Sequence, residues 1–120
     1  MYPQYIVVDL FCGAGGTTTG FDMAVVNGQK AAYVVACVNH DPLAIESHWE
    51  NHPEVYHFLE DITKLYGHVY NGVLHMTAQM KRLVRIVDLY RAIYPKAKVI
   101  LWASLECTNF SKAKGGQPRD

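Results

Sequence analysis

Two stretches of the 120-residue chain hold residues able to cradle a ligand or to attack one. The first is Asp9-Leu10-Phe11-Cys12-Gly13-Ala14-Gly15-Gly16. Glycine lets the backbone turn tightly and lets a ligand approach the main chain closely, because no Cβ stands in the way. A helix starting just beyond would offer unpaired N–H groups to an anion. That anion is a pyrophosphate in a dinucleotide site and the methionine carboxylate in an S-adenosylmethionine site. The glycine spacing alone does not choose between them, nor does it exclude a strand–helix turn without a ligand. Gly13-x-Gly15-Gly16 departs from the G-x-G-x-x-G fingerprint, and no Lys-Ser/Thr pair marks a phosphate-binding P-loop. The second stretch is Ala103-Ser104-Leu105-Glu106-Cys107-Thr108-Asn109-Phe110-Ser111. A cysteine thiolate is a strong nucleophile. Glu106 opposes its formation, whereas Lys112 and Lys114 favour it.

Polar residues outside these stretches are weaker candidates. Asn39 and Asp41 follow one apolar run and Asp61 follows another, where a side chain can reach a ribose or a base; capping a helix or a turn is the competing role for both aspartates. Cys12 and Cys37 lack basic neighbours and are expected to be small buried residues. Three widely spaced cysteines without a C-x-x-C pair predict neither a disulfide framework nor a zinc site. The histidines at 40, 48, 52, 57, 68 and 75 form no H-E-x-x-H or comparable spacing, so no metal site is expected.

The elements that must position these residues alternate. Apolar runs at 5–10, 33–38 and 98–103 predict buried strands, with a weaker one at 55–59. Helices are expected over 17–26, closed by Asn27-Gly28, and from Pro42 to about Glu50, capped by Asp41. Apolar residues from Met80 to Tyr94 recur at helical spacing, so a long helix is expected from about 77 to 94, ended by Pro95. The pattern leaves 64–76 ambiguous and predicts a loop over 104–120. Strand–helix alternation means an α/β fold, a parallel sheet with helices on both faces. In an open sheet of this kind ligands bind beyond the carboxyl ends of the strands. The first and fourth strands are expected to be neighbours at the switch in strand order, which turns the glycine stretch and Cys107 toward one crevice.

Equal numbers of acidic and basic side chains give a formal net charge of zero, so overall charge gives no support for nucleic-acid binding. Locally, Lys112, Lys114 and Arg119 make a short basic cluster. No segment approaches the length of a membrane-spanning helix, and the reduced cysteines fit an intracellular protein. One compact domain is expected.

Asp9 to Gly16, followed by Gly20-Phe21, resembles the first motif of the DNA cytosine-5 methyltransferases. Glu60-Asp61-Ile62-Thr63 resembles that family's Gly-Asp-Ile motif, with Glu60 in place of Gly. Glu106-Cys107-Thr108-Asn109-Phe110-Ser111 resembles its Pro-Cys-Gln-x-Phe-Ser motif, with Glu106 and Thr108 as departures. The resemblance implies a truncated, Rossmann-like, doubly wound methyltransferase fold with S-adenosyl-L-methionine as cofactor. It implies that Asp9, Phe11, Gly13, Gly15 and Gly16 hold the methionine and adenosyl portions. Asn39 stands where the family has a ribose-binding Glu, with Asp41 as the alternative. Asp61 would accept the adenine amino group while Ile62 packs on the ring. It further implies that Cys107 attacks carbon 6 of a flipped cytosine in double-stranded DNA. Ser111, Lys112, Lys114 and Arg119 would then meet the DNA, phosphates above all.

The family's later motifs and its target-recognition domain are not among these residues. A fragment inactive by itself is therefore expected, complemented by a C-terminal half or a second chain in trans, with self-association through the exposed sheet edge. A cytoplasmic enzyme of bacterial or phage type is implied. A non-catalytic remnant of the fold and an RNA cytosine-5 methyltransferase stay open as alternatives.

Overall fold

A computed structural model describes residues 3–11 and 15–103. The elements run β1 (Tyr5–Leu10), α1 (Gly16–Asp22), β2 (Val25–Val26), β3 (Gln29–Lys30), β4 (Ala32–Asn39), α2 (Pro42–Asn51), β5 (Tyr56–Leu59), a 3-10 turn (Ile62–Lys64), β6 (Gly67–Tyr70), β7 (Val73–Met76), α3 (Ala78–Ile93) and β8 (Lys98–Ala103). Four of the strands form a parallel sheet in the order β5-β4-β1-β8. The chain is therefore α/β, with β1 flanked by β4 and β8. Strand order reverses at β1, so the first and fourth long strands are neighbours as expected.

Val-rich β1 and β4 fill the middle of the sheet because branched side chains suit positions buried from both sides. On one face Ile6, Val8, Val35, Val38 and Phe58 pack with Leu83 and Ile86 of α3. On the other, Val7, Val34, Cys37 and Val55 pack beneath Phe21 of α1 and Ile45 of α2. Each such side chain contributes about 1.5–3 kcal/mol by leaving water. The β1–β4 register slips between Val7 and Val8, which pair with Val34 and Ala36, so Val35 is the extra residue of a bulge.

The long helix follows the predicted period closely. Thr77 caps it by accepting from the Met80 N–H at 3.1 Å. Helix α2 starts at Pro42 with Asp41 Oδ1 accepting from Leu43 N–H at 3.0 Å. Two expectations fail, for one reason. Helix α1 ends at Asp22 rather than Val26, and Asn27-Gly28 is the turn of the β2–β3 hairpin rather than a helix cap. The ambiguous 64–76 stretch contains a second hairpin, β6–β7, turning on Asn71-Gly72. Both turns put Asn and Gly at positive φ (52° and 76°, 51° and 75°), the pairing that a two-residue hairpin needs.

Strand β8 has β1 on one side and no strand on the other among the described residues. Val99, Leu101 and Trp102 along it are exposed. No helix among the described residues is long and apolar enough to cross a membrane.

Candidate functional site

Strand pairing brings the carboxyl ends of β1, β4, β5 and β8 to one edge. Leu10 lies beside Val38 on one side and Ala103 on the other, and Asn39 lies beside Leu59. The glycine turn and the segments 39–41 and 60–62 all leave from this edge. The chain continues from Ala103, beside Leu10, toward Cys107.

Phe11 is the first residue beyond β1 and adopts φ 61°. For a bulky side chain that left-handed conformation costs about 1–2 kcal/mol, a strain found most often at ligand sites and switches. Gly15, at φ 114°, opens α1. A Cβ there would come within 2.9 Å of His52 Cδ2, so packing and backbone both demand glycine. Gly16 differs, because a Cβ on it would meet nothing within 4 Å among the described residues. Helix α1 has only seven residues, so an anion there would depend on individual N–H groups more than on a helix dipole.

The polar candidates each hold a turn. Asn39 Oδ1 accepts from Asp41 N–H at 2.9 Å, and Glu60 N–H donates to the Asn39 carbonyl at 3.0 Å. Asp41 is the α2 cap, the competing role anticipated for it. Asp61 Oδ1 accepts from the Thr63 N–H at 2.9 Å and from Thr63 Oγ1 at 2.8 Å. These bonds hold the Asp61 carboxyl below its ordinary pKa, with smaller help from His40 and Lys64. Asp61 is exposed, and its Oδ2 takes no hydrogen bond among the described residues. Ile62 beside it is half-buried. Gly13, Cys107, Ser111, Lys112, Lys114 and Arg119 lie outside the described residues.

Asp9, near the carboxyl end of β1, is fully buried. Burial pushes its pKa up from 3.8 to about 6, against a lowering contribution from Thr18. Thr18 Oγ1 donates to Asp9 Oδ2 over a long 3.5 Å, while Asp9 Oδ1 has no partner among the described residues. The threonine has one hydroxyl proton, so the 2.8 Å contact between Thr18 Oγ1 and His48 Nε2 is a bond donated by the imidazole. His48 Nδ1 then carries the lone pair and accepts from His57 Nε2 at 2.7 Å, with Cys37 Sγ 3.6 Å away. Burial, followed by the neighbouring His57 and His52, lowers the His48 pKa to about 4, and burial also lowers that of His57. His52 joins the same group, with Nε2 3.0 Å from Thr19 Oγ1 and Nδ1 3.4 Å from Asp22 Oδ2.

Sequence spacing gave little sign of this group, because β4, α2 and β5 contribute Cys37, His48 and His57, which lie eleven and nine residues apart. The available signal was the i, i+4 pair His48 and His52 on the α2 face turned to the sheet. Comparison of the chain with protein-family models, with curated proteins and with solved structures gives no match.

Proposed function

We propose that this chain is the cofactor-binding part of an S-adenosylmethionine-dependent methyltransferase that modifies carbon 5 of cytosine in DNA. The observation that carries the reading is the shared sheet edge. The glycine turn, Asn39 and the Asp61-Ile62 pair leave from adjacent strand ends, and the chain departs toward Cys107 from the strand beside the glycine turn.

The residues suit the cofactor chemically. Asp61 is an exposed carboxylate with an unengaged oxygen able to accept an adenine amino hydrogen, and Ile62 offers an apolar surface next to it. Asn39 supplies a neutral amide for ribose hydroxyls, its carbonyl already committed to Asp41 N–H, so its amide hydrogens donate. Gly16 leaves room for close main-chain approach, and the strained Phe11 borders the same turn. The buried Asp9 Oδ1, without a partner among the described residues, suits a cationic or amide hydrogen arriving at the end of β1. When bound, S-adenosylmethionine supplies an activated methyl group. Gly13 and Gly15 complete the turn around the methionine end in this reading.

Cys107 acts on the base, not on the cofactor. Its thiolate forms a bond to carbon 6 of the extruded cytosine, which makes carbon 5 nucleophilic. After methylation a base removes the carbon-5 proton and the thiolate departs. Lys112, Lys114 and Arg119 meet phosphates, and Ser111 contributes a hydroxyl.

Methyl transfer is tested by mixing the chain with the C-terminal half of a cytosine-5 methyltransferase, labelled cofactor and duplex DNA. Label in 5-methylcytosine, abolished by Cys107→Ser, is the expected result. Cofactor binding without transfer, in a mixture shown to associate, would assign the chain to non-catalytic binding.

A further inference from the structure

The β4-α2-β5 unit gathers a sulfur and two imidazoles that the proposed methyl transfer does not use. Cys37 on β4, His48 on α2 and His57 on β5 each offer one ligand atom, all within 4.8 Å of one another. Cys37 and His48 are buried and His57 is half-buried, so the cluster sits at the margin of the core rather than on the open surface. We propose that Cys37, His48 and His57 bind a divalent transition metal of borderline softness, zinc first among them, through Sγ, Nδ1 and Nε2.

Two features support a metal over a merely packed cluster. Zinc bonds of about 2.3 Å to sulfur and about 2.0 Å to nitrogen place tetrahedral S and N ligands about 3.6 Å apart. The Cys37 Sγ to His48 Nδ1 separation is 3.6 Å. The two ligating nitrogens stand at 2.7 Å, shorter than the roughly 3.3 Å that a shared metal sets, so binding must turn the half-buried His57 outward slightly. For His48 the outer partner is also in position. Metal-ligating histidines characteristically donate their other N–H to a carboxylate or a relay toward one. His48 Nε2 donates to Thr18, which donates to the buried Asp9. This fixes the tautomer with its lone pair on Nδ1, facing Cys37 and His57.

Thiolate and imidazole together favour zinc over magnesium or calcium, which take oxygen ligands. Binding breaks the Cys37 S–H bond and releases that proton to solvent. On His57 the Nε2 proton is lost and one is regained at Nδ1, so one proton leaves per metal bound. A second group, Asp22, His52 and Glu54, is more open, with Glu54 on the surface and His52 Nδ1 3.9 Å from its carboxylate. It serves as the internal control.

Cobalt(II) is the probe, added to the metal-free chain and followed by absorption, by proton release and by Trp49 fluorescence. The Trp49 indole lies 5.1 Å from the His57 ring, within quenching range of a paramagnetic ion there. One cobalt per chain, a sulfur-to-cobalt charge-transfer band, release of one proton and displacement by zinc are expected. Cys37→Ala should abolish the band, Thr18→Val should weaken binding about 10–100-fold, and His52→Gln should leave both unchanged. His57→Gln, at the half-buried position, loses affinity without threatening the core. Circular dichroism establishes that each variant is folded. No cobalt uptake by the folded chain, uptake without the sulfur band, or a band that survives Cys37→Ala would overturn the assignment.

Discussion

Asp9→Asn measures what a buried carboxylate costs this fold. In the folded chain the Asp9 pKa is raised from 3.8 to about 6 by burial. Below pH 3.8 the group is neutral both folded and unfolded, and the fold keeps its full stability. As pH rises from 3.8 to 6 the unfolded chain releases the proton first, so stability falls. Above 6 the loss is complete. A shift of roughly two units at 1.36 kcal/mol each amounts to about 3 kcal/mol. Asparagine cannot ionise, so Asp9→Asn escapes that loss. Its amide introduces a buried donor whose cost, about 1 kcal/mol, is the same at every pH. The informative quantity is therefore a difference. The advantage of Asp9→Asn should be about 2.4 kcal/mol larger at pH 7.5 than at pH 4, where the unfolded chain is already more than half ionised. Urea unfolding of both proteins with a chelator present, followed by circular dichroism across that range, gives it directly. An advantage that does not change with pH would refute the burial argument. In the proposed cofactor site the same substitution weakens S-adenosylmethionine binding about tenfold, a stability–function exchange.

The two glycines that begin α1 should behave oppositely. Gly15→Ala combines a left-handed backbone with a clash against His52 and should cost about 2–4 kcal/mol in unfolding experiments. Gly16→Ala should leave stability within about 1 kcal/mol and lower cofactor affinity in calorimetry, and unchanged affinity would show that the space over Gly16 has no ligand role. Thr77→Ala removes the α3 cap and should cost about 1 kcal/mol, read as a shift in the urea midpoint. The edge of β8, unpaired among the described residues and with Leu101 67% exposed, should make the chain self-associate as concentration rises. Sedimentation velocity should detect that, with Leu101→Lys reducing it; a single monomeric species at all concentrations would contradict it.

Much of the sheet was legible because its cause is local. Short apolar runs point to β1, β4 and β8, and the Met80 to Tyr94 period points to α3, whose Thr77 cap only the structure shows. The two hairpins were missed although Asn27-Gly28 and Asn71-Gly72 are strong turn signals. At Asn27-Gly28 the apolar period of the preceding segment suggested a longer helix, and the flanking strands are only two residues each. In the site, the resemblance named Asp61, Asn39 and the glycines, and their strand ends do converge. Separating a capping role from a binding role was beyond sequence, since Asp41 and Asp61 have the composition for both and the structure gives each a cap. The histidine group was illegible for a different reason. Its members meet only because β4, α2 and β5 pack as a unit, and no spacing along the chain encodes that.

The central claim is that the edge formed by β1, β4 and β5 binds S-adenosylmethionine, and calorimetric titration of residues 1–120 tests it most directly. The account predicts one site, weakened at least about tenfold by Asp61→Ala, with no comparable binding of a nicotinamide dinucleotide. A chain shown to be folded that takes up no S-adenosylmethionine, or binds it equally well after Asp61→Ala, would contradict it.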